Sequence, residues 1–106
     1  MHWQLEAQRA AQDLDACLAA ERSRWETGGY SGSFTAFRTS IEAAFEIADK
    51  AFERLTIRPG AASTMFQLRA TLRARKRDLI AGLQAAWDKA QDAKREIDDE
   101  FGDIFA

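Results

Sequence analysis

A chain of 106 residues, 46% hydrophobic and 30% charged, is long enough to bury one modest core and too apolar to stay disordered. Its formal net charge of −2 disfavours a nucleic-acid or membrane-surface binder, and no apolar run approaches the roughly 20 residues that span a bilayer. This length predicts a single domain over residues 1–106. The N-terminal residues lack the basic and apolar regions of a signal peptide, which predicts a cytoplasmic protein, with a leaderless exported protein as the open alternative.

The first predicted element is a helix over residues 3–26. Its apolar residues recur at helical spacing on one face: Trp3, Ala7, Ala10, Leu14, Cys17, Leu18 and Trp25. Because several of them are small, this helix is expected to depend on tertiary contacts rather than on its own stability. A glycine-rich segment, residues 27–33, ends the helix. Ser31 or Ser33 is expected to cap the next helix, and Tyr30 to pack over the helix ends.

A second helix is predicted over residues 34–55, and it carries the densest aromatic stripe in the chain. The stripe consists of Phe34, Phe37, Ile41, Ala44, Phe45, Ala48, Phe52 and Leu55. Arg58-Pro59-Gly60 ends the helix, because the residue before a proline disfavours helical backbone and glycine permits a turn. Ser63 or Thr64 is expected to cap the helix that follows.

The third and longest helix is predicted over residues 63–101, with Phe105 as its furthest end. Its apolar stripe keeps one phase along the whole length: Met65, Leu68, Leu72, Leu79, Leu83, Ala86, Ala90, Ile97, Phe101 and Ile104. Gly82 costs about 1 kcal/mol relative to alanine in a helix interior, but a break there would normally destroy the phase. One continuous helix is therefore favoured over two, and we expect the rest of the chain to be organised around it.

These elements predict an all-α fold, an antiparallel three-helix bundle with an overlong C-terminal helix. The predicted core comprises the centres of the two strongest stripes: Phe37, Ile41, Phe45, Phe52, Leu72, Leu79 and Leu83. At 1.5 Å per residue the three helices would be roughly 36, 33 and 58 Å long. About 20 Å of the third stripe would then lack a partner within the chain, which predicts association, most simply as a homodimer.

The sequence also lacks the patterns of a catalytic or metal-binding site. The one histidine, His2, has no visible acid–base partner, and the one cysteine, Cys17, lies on an apolar helix face and is interpreted as buried and inert. Paired carboxylates on the second helix lack the Glu-x-x-His element that a carboxylate metal bundle adds on neighbouring helices. The sequence therefore predicts no enzyme, no catalytic residue, no metal and no cofactor.

Charge divides the third helix into two halves. Residues 59–87 carry five cations and one acid, Asp78, for a net charge of +4; the cations are Arg69, Arg73, Arg75, Lys76 and Arg77. Residues 88–106 carry three basic and seven acidic groups, for a net charge of −4. This order opposes the helix dipole, which favours acids at the start and bases at the end. Two interpretations stay open: a solvated surface, or a bipolar surface for a charged partner or an antiparallel second copy.

These features favour a non-catalytic protein that binds another protein through the third helix. An inhibitor or antitoxin-like partner, of the kind carried by phages and other mobile elements, is one form of this function. The first alternative is a structural or assembly coiled-coil adaptor. The second is nucleic-acid binding through residues 69–77, although no aromatic residue interleaves with these cations to stack on bases. The predicted partner-binding residues are Arg69, Arg73, Arg75, Lys76, Arg77, Asp98, Asp99, Glu100, Phe101, Ile104 and Phe105.

Overall fold

Three helices make up the computed structural model, which describes the backbone of residues 2–105 and the side chains of residues 2–97. They are α1 (Trp3–Glu26), α2 (Phe34–Leu55) and α3 (Ala62–Phe105), and no strand occurs within the described backbone. The all-α three-helix bundle is confirmed, and α3 is the longest helix with 44 residues. α1 and α2 have the predicted bounds, while α3 begins one residue earlier and ends four residues later than predicted.

α2 is the centre of the bundle, so the expectation that the chain is organised around α3 is wrong. Among the side chains of residues 2–97, eight of the thirteen buried apolar ones lie on α2: Phe34, Phe37, Ile41, Ala44, Phe45, Ala48, Phe52 and Leu55. α1 and α3 each pack against α2, and in the described backbone no Cα atom of α1 approaches one of α3 within 8 Å. The fold is therefore an open, flat layer that measures 70 × 22 × 14 Å between Cα extremes.

The predicted core is confirmed for the five residues that α2 contributes or covers directly. Phe37, Ile41, Phe45, Phe52 and Leu72 are all 1–7% exposed. The remaining two predicted core residues, Leu79 and Leu83, are only partly buried. Both line a groove of about 570 Å³ that stays open between α1 and α3. Helical spacing put them on the correct face of α3, but the separation of α1 from α3 leaves that face half covered.

The helix junctions agree with the sequence at α2 and differ at α3. Ser33 is the N-cap of α2, and its hydroxyl accepts a hydrogen bond from the Ala36 amide at 3.2 Å. This bond satisfies one of the amides that a helix start leaves free. The predicted cap of α3 is wrong, because Ser63 and Thr64 lie inside its first turn. Gly60 precedes that turn with a φ of +78°, a conformation that glycine adopts without a Cβ clash.

Aromatic side chains join all three helices near the start of α2. We call this group the aromatic cluster; it consists of Trp25, Tyr30, Phe34, Phe37 and Trp87. Trp25 stacks on Phe37 with 4.9 Å between ring centroids, and Trp87 stacks on Phe34 at 5.3 Å. Tyr30 lies 5.7 Å from Phe37, which confirms that it packs over the helix ends. Among the described side chains, Trp87 is the last apolar one of α3 that packs against the core, so the cluster marks where α3 leaves the bundle.

α3 is continuous through Gly82, as the phase of its stripe predicts. A Cβ atom at Gly82 would meet nothing within 4 Å beyond the helix's own backbone, so no close contact requires a glycine there. Past Trp87 the helix runs on over residues 88–105, which we call the overhang and which is about 27 Å long. In the part of the chain that the structure describes, no helix is both long and apolar enough to cross a membrane.

Candidate interaction surface

The five cations of residues 69–77 do not form one surface, and Arg75 is the clearest exception. Its guanidinium faces α1, where Nη2 lies 2.7 Å from a carboxylate oxygen of Asp15. Its Cζ also lies 5.9 Å from the ring centroid of Phe45 on α2. Arg75 therefore joins α3 to α1 across the edge of α2, where the two outer helices have no backbone contact. Arg75, a predicted partner-binding residue, is thus already paired with a carboxylate of its own chain.

Arg69 is held by α2. Its Nε and Nη2 atoms donate to the two carboxylate oxygens of Asp49 at 2.9 and 3.1 Å, a bidentate arrangement. This hydrogen bonding is the main reason that the pKa of Asp49 is lowered from its ordinary value of 3.8; partial burial opposes the shift, and the charges of Arg69, Arg73 and Lys76 add to it. The same bonding raises the pKa of Arg69. Arg69 therefore serves the packing of α3 on α2.

The remaining three cations of the stretch line a groove between α2 and α3. We call it the basic groove; it has a volume of about 530 Å³ and is lined by Arg38, Glu42, Arg73, Lys76, Arg77, Ile80, Ala81 and Gln84. Arg38 of α2 pairs with Glu42 at 2.8 Å and also donates to Gln84 of α3 at 3.2 Å. Four cations therefore share this groove with a single carboxylate.

Two cations of the basic groove have no carboxylate partner. No carboxylate oxygen of residues 2–97 lies within 4.0 Å of Arg73 or Lys76. Within the described side chains Arg77 pairs only with Asp78, the next residue, at 3.2 Å, and both of these side chains are about three-quarters exposed. Surface pairs of this kind contribute little stability. The groove therefore presents positive charge to any ligand that carries negative charge.

The groove between α1 and α3 has a different character. Its lining is mostly apolar and comprises Leu18, Ala19, Arg22, Phe37, Ile41, Arg75, Asp78, Leu79, Gly82, Leu83 and Ala86. Each of its three charged residues already has an opposite charge within 4 Å, namely Glu26 for Arg22, Asp15 for Arg75 and Arg77 for Asp78. This groove offers apolar surface but no free charge that would select a ligand.

The overhang is uncovered wherever its side chains are described. From Asp88 to Ile97 every side chain is exposed except Gln91, which is partly exposed. Ile97, the last described member of the apolar stripe, is 53% exposed. The predicted partner-binding residues of the C-terminal end lie outside the residues whose side chains the structure describes; they are Asp98, Asp99, Glu100, Phe101, Ile104 and Phe105.

Sequence patterns missed three residues of these surfaces: Arg38, Gln84 and Trp87. The spacing of Arg38 and Glu42 predicts a surface ion pair, but nothing local indicates that Arg38 meets Gln84, 46 positions away. Trp87 lies off the predicted apolar stripe. A signal for it existed in the sequence, because Trp87 follows Leu83 of the stripe by four residues, which makes the two side chains neighbours on one side of the helix.

The titratable groups of the described region do not assemble into a metal site. No three His, Cys, Asp or Glu side chains of residues 2–97 come together as a metal ion would require. His2 is exposed at the start of α1. Cys17 packs against the core but is only partly buried, less than its position on the apolar face of α1 predicts.

No protein-family model, curated protein or solved structure matches this chain. The function of this chain is therefore inferred from the two grooves and the overhang described above. The basic groove, the groove between α1 and α3, and the overhang are all formed wholly or partly by α3, so α3 is the element that any such interpretation must explain.

Proposed function

We propose that this protein acts without catalysis, by binding another protein through α3. The observation that supports the proposal most strongly is the overhang: α3 continues for about 27 Å past Trp87, its last described core contact. A helix end of that length satisfies its own backbone hydrogen bonds but buries none of its described apolar side chains. Ile97 remains more than half exposed, on the same stripe that Leu72 buries against α2.

Helix energetics favour a partner for the overhang. Most helical stability in proteins comes from packing of an apolar face, and short helices without such packing are marginal in water. The overhang also ends in several acids, including Asp98, Asp99 and Glu100, where the helix dipole favours cations. A bound partner that covers the Ile97 side and neutralises these charges would supply the apolar packing and the opposite charge that the overhang lacks within the described chain.

An inhibitor or antitoxin-like partner and an assembly adaptor are both forms of this proposal, in a cytoplasmic setting. They share the mode of contact, an amphipathic helix that lies against another protein. They differ in what the contact does, since an inhibitor blocks the partner's own site and an adaptor only holds components together.

Nucleic-acid binding through residues 69–77 has less support. Asp49 and Asp15 already engage Arg69 and Arg75, and Glu42 adds a negative charge to the groove that the other cations line. Affinity for phosphates scales with the number of cations that neutralise them. The arrangement leaves fewer free cations than the sequence alone indicates.

Site-specific photo-crosslinking tests the proposal. A photoreactive amino acid replaces Ala90 in the overhang, and in a matched variant it replaces Ala16 on α1; both alanines are exposed. After irradiation in cells that express the full chain, we expect discrete crosslinked products of higher mass from position 90 and none from position 16.

Adding Ile97→Asp to the Ala90 variant should remove those products, because a charge then replaces an exposed apolar contact. The proposal is wrong if position 90 gives no discrete product, or if positions 90 and 16 give the same products.

A further inference from the structure

The excess of positive charge in the basic groove, four cations against the one carboxylate of Glu42, defines the kind of ligand that fits it. Arg73 and Lys76 form no ion pair within 4.0 Å among residues 2–97, although both also line an adjoining groove with Glu46 and Asp49. On the other side they share the basic groove with Arg38 and Arg77. Cations that line one groove repel each other, and carboxylates of a ligand that enters the groove would relieve this repulsion. Ile80 and Ala81 add apolar surface to the lining. A fitting ligand is a peptide segment that combines several acids with apolar side chains.

The chain carries such a segment at the end of α3. We call it the acidic segment, residues 98–105; it reads Asp98, Asp99, Glu100, Phe101, Gly102, Asp103, Ile104 and Phe105. It cannot reach the basic groove of its own molecule, because α3 is continuous from Ala62 to Phe105. Along the helix axis Asp98 lies about 31 Å from Arg77. The acidic segment can meet a basic groove only in another molecule.

Two antiparallel α3 helices would bring these parts together in both directions. In an antiparallel pair, residue numbers increase along one helix while they decrease along the helix opposite. If Asp98 lies opposite Arg77, then Asp99 lies opposite Lys76. In the same register Asp103 falls within one residue of Arg73. The two-fold axis of this register passes between residues 87 and 88, and by symmetry both grooves are filled by the same contact.

We propose that two copies of this chain form an antiparallel dimer in which the acidic segment of each α3 occupies the basic groove of the other copy. This inference rests on the proposed function and deepens it by naming the partner of α3. The two helices run side by side from about residue 72 to residue 103, roughly 47 Å, a contact longer than α1 or α2. Charge complementarity sets the register, and Ile80 and Ala81 of the groove are covered as a result.

Complementary charge reversal tests the pairing. One variant carries Arg73→Glu, Lys76→Glu and Arg77→Glu, and the other carries Asp98→Lys, Asp99→Lys and Asp103→Lys. Sedimentation equilibrium of the purified full chain should show a wild-type dimer whose dissociation constant rises at least about tenfold in each variant. An equimolar mixture of the two variants should recover a mass of two chains, because opposite charges face each other again.

A matched control carries the same change of charge away from the groove, with Arg9→Glu, Arg22→Glu and Arg54→Glu, three exposed positions. It should dimerise within about threefold of wild type, since exposed charges away from the contact are screened. Circular dichroism establishes that each variant keeps its helices. The inference is overturned if the wild-type chain is monomeric at about 100 micromolar, or if the mixture of the two variants does not associate.

A cysteine scan tests the register without changing the groove. In a Cys17→Ser background, Asp88→Cys lies next to the two-fold axis, and Ala70→Cys lies roughly 52 Å from its own counterpart. Mild oxidation should crosslink the Asp88→Cys chain to itself and leave the Ala70→Cys chain monomeric, because a disulfide needs Cα atoms within about 7 Å. Equal crosslinking at both positions, or none at residue 88, would overturn the register.

The two proposals fail in different ways. Crosslinks from position 90 to an unrelated protein, together with a monomeric purified chain, would overturn the dimer and leave the proposed function in place. The absence of crosslinks from position 90 would instead overturn the proposed function itself.

Discussion

α3 runs through two regions of the molecule, the bundle of residues 3–87 and the overhang. The two regions differ in the burial of apolar side chains and in ion pairing, both of which depend on neighbouring helices. The first region contains all thirteen buried apolar residues of the described side chains, whereas the described part of the overhang contains none. The same apolar stripe runs through both, with Leu72 at 7% exposure in the first and Ile97 at 53% in the second. A stripe at helical spacing therefore indicates which side of a helix is apolar, and only an adjacent helix buries it.

The charges of the two regions differ in the same way. In the first region, cations of α3 contact carboxylates of other helices, as Arg69 does with Asp49 and Arg75 with Asp15. In the described part of the overhang, the ion pair that forms is local, between Arg95 and Asp92 at 3.2 Å, with the two side chains 76% and 66% exposed. Local pairs of this kind contribute only a few tenths of a kcal/mol. The long-range pairs orient helices, and the local pair does not.

The largest expected effect on stability lies at the centre of the bundle. Phe45→Ala should lower the free energy of unfolding by about 3–5 kcal/mol, because Phe45 is 1% exposed and its removal leaves a cavity. Urea unfolding at low protein concentration measures the loss. Phe66→Ala is the matched control, since Phe66 is 70% exposed and should cost less than about 0.5 kcal/mol. A loss below about 1 kcal/mol for Phe45→Ala would contradict the central position of α2.

The next effect lies at the boundary between the two regions. Trp87→Ala should lower the free energy of unfolding by about 2–3 kcal/mol, less than for a fully buried tryptophan because Trp87 remains partly exposed. The loss comes from its contacts with Phe34 and Trp25. Gln91→Ala, one helical turn after Trp87, should change the free energy of unfolding by less than about 0.5 kcal/mol. If the two substitutions cost the same in urea unfolding, the boundary does not lie at the aromatic cluster.

A smaller effect, and a stabilising one, is expected at Gly82. Gly82→Ala should raise the free energy of unfolding by about 0.5–1 kcal/mol, because alanine is the better helix former and its Cβ meets nothing within 4 Å. Thermal unfolding followed by circular dichroism detects the gain. Gly60→Ala should have the opposite sign, since Gly60 has a φ of +78° that strains any residue with a Cβ atom. A loss at Gly82 would show that something packs closely against it.

The smallest effect concerns pH. Because the pKa of Asp49 is lower in the folded chain than its ordinary value of 3.8, its contribution to stability is present above that value and is lost as pH falls through the folded pKa. Asp49→Asn should therefore be less stable than wild type at pH 7, and the difference should shrink below about pH 4. Urea unfolding from pH 7 to pH 2 measures both. Arg69→Gln should reproduce the profile; a difference that is constant with pH would rule out this pairing.

Local patterns were sufficient for much of the fold. Apolar spacing predicted the bounds of α1 and α2, and the serines ahead of the apolar run predicted a cap at Ser31 or Ser33, of which Ser33 is the one observed. The interaction surface was less predictable. The five cations of residues 69–77 look like one patch in the sequence, but two of them pack the bundle and three line the basic groove. Arg38, which completes the groove, lies on a different helix.

By itself, the amino-acid sequence determined three helices, the apolar face of each and the excess length of the last one. The physical reason is that periodicity, capping and turn chemistry act over a few neighbouring residues. Only the tertiary structure decided that α2 is central, that Leu79 and Leu83 stay partly exposed, and that Trp87 belongs to the core. These outcomes depend on how each helix is rotated and offset against its neighbours, which is set by packing between residues far apart in the chain.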